Sequence, residues 1–303
     1  MAAGDDGSVA GPTVTRMLLG AQLRRLREAN GTTREDAGYA IRGSESKISR
    51  MELGRVGFKE RDVVDLLRFY GVTDERERTE VLSLLRGANT PGWWYRYNDL
   101  LPGWFQSYLG LEAAAVLIRG YEVQFIPGLL QTVEYARAVI RLGHGGTDTE
   151  EIERRVSLRI ARQRVLTRSD PPRFWVVVDE AALRRPIGGL AVMQAQIDAL
   201  IDVVELPMVQ LQVMPFGVGG HAAAGGAFTI LRFPDRDLPD VVYIEQLTSA
   251  FYLDKPEDDD QYAEVMSRLY IEAAPPGQTT EILRRIRREL DMPGSGSVVP
   301  DQV

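Results

Sequence analysis

The period of the apolar residues changes once along this chain, and that change divides it into two folding problems. From Thr15 to Gly87 the period is helical: Leu19, Leu23 and Leu26 mark one stripe, Ala37 and Ile41 a second, Ile48 and Met51 a third. Val63, Leu66 and Leu67 continue it, and Val81, Leu82 and Leu85 come last. Gly, Ser, Thr and Asn punctuation around residues 30–33, 42–44, 54–57 and 71–74 splits the segment into five short helices. Beyond residue 173 short β-branched runs bounded by Pro or Gly predict strands over 174–178, 209–215, 227–233 and 240–245. A helix over 190–205 separates the first two of these, a βαβ-like unit that would pair them in parallel. Further helices are predicted over 111–119, 128–142, 148–167, 257–273 and 279–290. The fold class is therefore multidomain, α plus α/β: an all-α five-helix domain over 15–87 and a mixed α/β regulatory domain over 109–291. Residues 88–108 form an aromatic-rich linker or interface, and residues 1–14 and 292–303 read as disordered tails.

Composition removes several chemistries. The 303 residues contain no cysteine, which excludes disulfides, thiol nucleophiles and thiolate metal sites. With two histidines, His144 and His221, a multi-histidine metal centre is also out, and no cofactor is expected. There is no apolar run of about 18 residues and no signal-like N-terminus, so a soluble, cytoplasmic protein without membrane contact is expected. The net charge of −7 is unevenly spread: residues 15–70 carry twelve Lys/Arg against eight Asp/Glu, a net of +4, which leaves −11 on the rest. A small basic module joined to an acidic body suits a chain in which one end meets phosphates.

Within the basic module, Thr33 is placed to cap a helix whose first turn holds Glu35 and Asp36, which complement the helix dipole. Ala37 sits where a second helix would cross, and Ser44 caps that helix, running from Glu45 to Glu52. Ile48 and Met51 face inward, leaving Glu45, Ser46, Lys47, Ser49 and Arg50 outside, side chains suited to base edges and phosphates. This is the arrangement of a helix-turn-helix with its recognition helix in the major groove.

The run Ser-Lys-Ile-Ser-Arg-Met-Glu-Leu-Gly-Arg at residues 46–55 resembles the signature of the Xre/Cro-type helix-turn-helix family. The resemblance extends to Pro127–Thr132, Tyr135–Ala138, Val178–Glu180, Leu183–Pro186 and Gln212–Phe216, which are similar to a C-terminal domain of unknown function in actinobacterial (Scr1-like) regulators. It implies a lambda-repressor-like domain and a sequence-specific transcriptional regulator of double-stranded DNA, with no catalytic residues. It also implies a small antagonist protein as a partner, and leaves room for a small-molecule effector. Carried onto this chain, Glu45, Ser46, Lys47 and Arg50 are the base-contact candidates, and Thr33, Arg34, Ser49 and Arg55, with Gln22 weaker, the phosphate contacts. Glu52 should orient its neighbours rather than touch acidic DNA. One departure stands out: Arg42 occupies the turn position where the family usually has Gly, so either the turn shifts by one residue or Arg42 accepts strain of about 1 kcal/mol. A module of this charge should bind one half-site weakly, which predicts a homodimer on a near-palindrome.

Other signals have plainer explanations beside functional ones. Seven of the 24 aromatics fall between Trp93 and Tyr108; they either cement the domains or, through Trp93, Trp94 and Trp104, line a ligand pocket with His221. Arginine-rich helices near 154–168 and 284–288 also carry apolar stripes, so their charges read chiefly as solvated faces, with auxiliary DNA contact as the alternative. The glycine-rich loop 217–226 lacks the Lys-Ser/Thr of a phosphate loop. Within it His221 is the one candidate for proton transfer, with Asp179, Glu180 and Glu245 as acidic partners. Two rival functions follow: phosphoesterase or nucleotide-processing activity in the C-terminal domain, and an antitoxin-like protein-interaction module.

Overall fold

Where the apolar period is helical, five helices form: α1 (Pro12–Ala29), α2 (Arg34–Ala40), α3 (Glu45–Glu52), α4 (Glu60–Phe69) and α5 (Glu75–Ala88). The computed structural model describes residues 12–235 and 238–290. α1 opens on a proline, which suits a first helical position because its missing N–H has no intrahelical partner there. Pro12, Thr13 and Val14, read from sequence as tail, are thus helical, and Thr13 and Val14 are buried. Thr33, Ser44 and Asp74 each cap the following helix with a side-chain oxygen. The shared core is built from Leu19, Leu23, Ala37, Ile48, Met51, Val63, Leu66 and Leu67. Two glycines make the approach of α1 to α3 possible. A Cβ on Gly20 would lie 2.4 Å from the Met51 carbonyl oxygen, and one on Gly54, at φ +64°, would lie 2.7 Å from the Met17 backbone.

Contacts divide the chain into two units: residues up to Ala115 with Phe233–Pro239, and Val116–Arg232 with the chain from Asp240. The first unit therefore extends past the five helices. It includes a 3-10 turn at Trp93–Tyr97 and α6 (Gly103–Ala114), which packs on α1. The contact is close, since a Cβ at Gly110 would overlap the Thr13 hydroxyl.

The second unit is a six-stranded sheet in the order β3-β2-β1-β4-β5-β6. Its strands are β1 (Leu117–Glu122), β2 (Arg173–Asp179), β3 (Val209–Met214), β4 (Phe228–Arg232), β5 (Val241–Glu245) and β6 (Ala250–Leu253). β1, β2 and β3 run parallel, β4 is antiparallel to β1, and β4, β5 and β6 form an antiparallel meander. Helices α7 (Val133–Gly143), α8 (Thr149–Arg162), α9 (Glu180–Arg184), α10 (Leu190–Val203), α11 (Pro256–Glu272) and α12 (Thr279–Glu289) complete it. Met266 and Leu269 of α11 join Tyr121, Val177, Phe228, Ile230 and Val242 of the sheet in one core. The helix predicted over 111–119 is corrected: α6 ends at Ala114, and Leu117–Glu122 is a strand paired on both edges. β1 follows three alanines and carries Arg119, Gly120 and Glu122 among its apolar residues; its strand form comes from pairing with the distant β2 and β4, so nothing local distinguishes it from a helix end.

Candidate nucleic-acid interface

α2, the turn after it and α3 form the helix-turn-helix. Thr33 Oγ1 accepts the Asp36 N–H at 3.1 Å and donates to the Asp36 carboxylate at 2.7 Å; Ser44 Oγ accepts the Lys47 N–H at 3.2 Å. Between the caps, Arg42 N–H donates to the Tyr39 carbonyl and Gly43 N–H to the Gly38 carbonyl, the double closure of a Schellman turn. The left-handed position of that turn falls on Arg42, at φ 53°, so the turn is not shifted and Arg42 carries the strain. Gly38 and Ala37 are buried beneath the turn.

Glu45, Ser46 and Arg50 are exposed on α3, and Ser49 and Lys47 are half-buried. Arg50 Nε donates to the Ser46 carbonyl at 3.3 Å, which lays that side chain back along its own helix. Lys47 Nζ donates at 2.6 Å to Asp62, a side chain only 2% exposed in the first turn of α4, so this base-contact candidate is held internally. Glu52, also 2% exposed, accepts from Arg27 Nη2 at 3.2 Å and from Arg34 Nε at 3.0 Å. Its hydrogen bond holds the Arg27 guanidinium above its usual range despite burial. Glu52 therefore orients neighbours, namely Arg27 and the phosphate candidate Arg34. Gln22 accepts from Arg25, and Arg55 is exposed just past Gly54, its N–H closing on the Arg50 carbonyl at 2.9 Å.

Three residues of this surface lie outside the set that the sequence singles out. Arg27 follows Leu19 and Leu23 at four-residue spacing, so an arginine on the buried stripe was the available signal. Asp62 had none, since its partner lies on another helix. Tyr39, 73% exposed beside the turn, presents a hydroxyl of the kind that meets phosphates.

Trp93, Trp94 and Trp104, expected around a pocket, do not line one cavity together. Trp94 is buried and, with Tyr95, lines a cavity of the first unit; Trp93 packs edge-on against Trp94, and Trp104 against Phe105, neither lining that cavity. His221 belongs to the second unit. There a consistent hydrogen-bond relay forms. The Ala223 N–H donates to His221 Nδ1 at 3.3 Å, which leaves the proton on Nε2, 2.8 Å from the Tyr121 hydroxyl. Tyr121 in turn donates to Asp179 at 3.2 Å, and Asp179 also accepts the Ala181 N–H at 2.8 Å. Tyr121 is fully buried and its ionisation is pushed upward by that burial, while His221 and Asp179 at the two ends are partly exposed, so the relay ties the glycine-rich loop to the core through Tyr121. Asp179 is thus linked to His221 as expected, through Tyr121. Glu180 and Glu245 are not: Glu180 accepts from Phe216 N–H and Arg184, and Glu245 from the Tyr243 hydroxyl.

Glu245 bears instead on Glu122. Burial first, then the Glu245 charge, push the Glu122 carboxyl up to about 8. On α8 the arginines are not simply a solvated face. Arg155 pairs with Glu151 at 2.6 Å, and Arg159, whose ionisation burial pulls down to about 10, donates to Gln131 at 3.0 Å. Among the described residues no group of three His, Asp or Glu is placed to hold a metal ion. Nor, among them, is any helix long and apolar enough to cross a membrane.

Residues 105–285 match the family model of a domain of unknown function, DUF5753, and residues 18–81 match that of a helix-turn-helix domain. The family domain begins inside α6, and the helix-turn-helix match covers α2 to α4 with most of α1 and half of α5. No curated protein and no solved structure matches the chain.

Proposed function

The chain belongs to the DUF5753 family, with a helix-turn-helix domain ahead of that family's domain; from this premise we propose that it is a sequence-specific transcriptional regulator of the Xre type, acting as a homodimer on double-stranded DNA in the cytoplasm. One observation carries the reading. α3 is capped at Ser44, anchored by Ile48 and Met51, and turns Glu45, Ser46 and Arg50 away from the core. A short helix fixed in this way presents a few polar side chains at a set angle, which is what reading base edges requires. Lys47 joins them by leaving Asp62 when DNA is present. Thr33, Arg34, Ser49 and Arg55 flank that face as phosphate contacts, with Gln22 further off. One recognition helix contacts too few base pairs for specific affinity, so two copies on a near-palindrome are needed, half-sites about one helical turn apart.

The second unit then senses a signal, holds the dimer or receives a small antagonist protein. The His221 relay favours this over phosphoester chemistry, because its Nδ1, its Nε2 and the Asp179 carboxylate all serve internal hydrogen bonds. The test is selection of the preferred duplex from random DNA, followed by fluorescence anisotropy on that duplex and a scrambled one across a salt series. A preference of about 10³-fold or more is expected. Equal, weak and steeply salt-dependent binding to both would overturn the reading, and tight binding to a small protein without DNA affinity would put the interaction-module function in its place.

A further inference from the structure

In the second unit, on the sheet face away from α11, the carboxyl ends of β1 and β5 come level with each other. The register that sets Tyr121 opposite Phe228, and Thr229 opposite Tyr243, runs on by one residue to place Ala227 between Glu122 and Glu245. Residues in one such row share a face, and neighbouring strands lie about 4.8 Å apart, so the two glutamates flank the alanine with their Cα atoms about 10 Å apart. The row before it reads Gly120, Thr229 and Tyr243. The floor between the glutamates is thus made of small residues. A Cβ on Gly120 would meet nothing nearer than 3.7 Å, and the three atoms nearest to it belong to the sheet itself, Phe228 O, Thr229 Oγ1 and Val176 Cγ2. Ala227 and Thr229 are half-buried, so this recess is open to water.

Its rim carries both signs of charge. Glu245 is exposed and Glu122 half-buried, and among the described residues the Glu122 carboxyl takes no hydrogen bond and no ion pair. Arg159 of α8, also half-buried, donates from Nη1 to Gln131 at 3.0 Å, and its other N–H donors have no partner among the described residues. Gln131 is itself fixed: its Nε2 donates to the Ile126 carbonyl at 2.7 Å, and its own carbonyl accepts from Gln163 at 2.7 Å. Arg162 is turned over Gly128 instead, its Nη1 3.4 Å from where a Cβ would stand there. Glu122, Glu245 and Arg159 lie within electrostatic reach of one another, yet no ion pair joins Arg159 to either carboxylate. Opposite charges that face one another without touching leave room for a group that satisfies both. A ligand with a cation alone would meet Arg159, and one with an anion alone would meet the glutamates.

We propose that this recess binds a small zwitterion of the α-amino acid class, its ammonium between Glu122 and Glu245 above Ala227 and its carboxylate on Arg159. The site would supply the signal for the sensing role given to the second unit; its regulatory meaning rests on that reading, whereas binding itself does not depend on DNA.

The experiment is calorimetric titration of the full chain with each of the standard amino acids and, as controls with one charge, butylamine and butyrate, repeated with Glu245→Gln, Glu122→Gln and Arg159→Met. At least one amino acid should bind below about 1 mM, and both controls about tenfold or more weaker. Each variant should weaken binding about tenfold or more; Glu245→Gln, at an exposed position, keeps the test open should either of the others fail to fold. An ammonium between the glutamates favours ionised Glu122, whose carboxyl otherwise keeps its proton up to about 8. Affinity should therefore rise several-fold from about pH 7 to about pH 8.5, and stay level in Glu122→Gln. The other charged or titratable groups facing Glu122 are Glu245 on β5, Arg159 and Arg162 on α8 and Tyr135 on α7; Arg159 and Tyr135 ionise above that range, at about 10 and about 12. No amino acid binding tighter than about 10 mM, a control binding equally well, or binding indifferent to all the variants would overturn the proposal. Operator anisotropy is scored apart: a chain without operator preference that still binds the zwitterion would fail the regulatory reading and keep this site.

Discussion

Lys47 stands both in the base-contact set and in an internal ion pair, so the obvious experiment, Lys47→Ala, confuses two effects that the structure lets one separate. The Nζ–Oδ2 separation of 2.6 Å at an effective dielectric of about 20 gives a gross attraction of about 6 kcal/mol. Three things reduce the net value: Lys47 is 33% exposed, Arg61 stands 3.8 Å from the other Asp62 oxygen, and Asp62 lies in the first turn of α4, where the helix dipole favours a carboxylate. A net loss of ~1–3 kcal/mol is expected for Lys47→Ala, because Asp62 stays buried without its principal partner. Lys47→Ala/Asp62→Asn removes the stranded charge and should recover most of that stability. Urea unfolding measures the first quantity and anisotropy on the selected operator the second. If Lys47 reads a base, operator affinity falls by ~1–3 kcal/mol in the single variant and stays low in the double variant although stability returns. Recovery of both in the double variant would refute base reading by Lys47. An unchanged urea midpoint in the single variant would refute the internal pair.

The other substitutions test the frame around that helix and the second unit. Arg42→Gly should stabilise the chain by ~0.5–1 kcal/mol, the relief of the left-handed backbone less the entropy that glycine adds to the unfolded state; a lower urea midpoint would show that the φ of 53° costs nothing there. Glu52→Leu strands Arg27, whose side chain is 9% exposed, and should cost ~3–5 kcal/mol, most of it regained by adding Arg27→Met; an additive loss in the double variant would count against the pair. The Glu122 carboxyl, raised to about 8, keeps its proton in the fold between about pH 4.5 and 8 while the unfolded chain releases it. The unfolded state then binds fewer protons, so this contribution is complete below pH 4.5 and is lost as pH rises towards 8. Glu122→Gln should flatten that decline in a melting-temperature series, and an unaltered slope would reject the shift.

The recognition module was legible because its determinants are local. Caps at Thr33 and Ser44, the small residue at Ala37 and the inward pair Ile48 and Met51 all lie within one or two turns of what they specify. The misread segment shows the opposite case. Ala113, Ala114 and Ala115 carry helical propensity up to the edge of β1. The strand owes its existence to β2 and β4, which lie far along the chain: Ile118 pairs with Phe174 on one edge, and Leu117 with Arg232 on the other. Tyr121 sits in that segment, so the sequence points to the link from His221 to Asp179 without the residue that makes it. Grouping aromatics by closeness in sequence failed for a related reason. Only Trp94 of the expected set lines the cavity, and the arginines beside it, Arg16 and Arg55, come from α1 and from the chain after α3, which closeness in sequence does not connect.

Counting charges along the chain also overstates what DNA would feel, and the structure gives the correction a number. Arg27 and Arg34 share the single charge of Glu52, so one of the two is offset, and Lys47 is paired with Asp62. Of the five phosphate-contact candidates, Gln22, Thr33 and Ser49 are neutral: they position the backbone but release no counterions. Arg34 and Arg55 alone are cations in that set. A slope of log affinity against log salt near −2 per protomer follows, about −4 for a dimer. For the proposed dimer, such a shallow slope means that most of the specific free energy comes from base contacts and from the pairing of two copies. The anisotropy series on the selected duplex measures it directly. A slope steeper than about −6 for the dimer would mean that cations outside the helix-turn-helix reach the backbone, and the arginines of α12, Arg284 and Arg288 among them, would then be the first to replace.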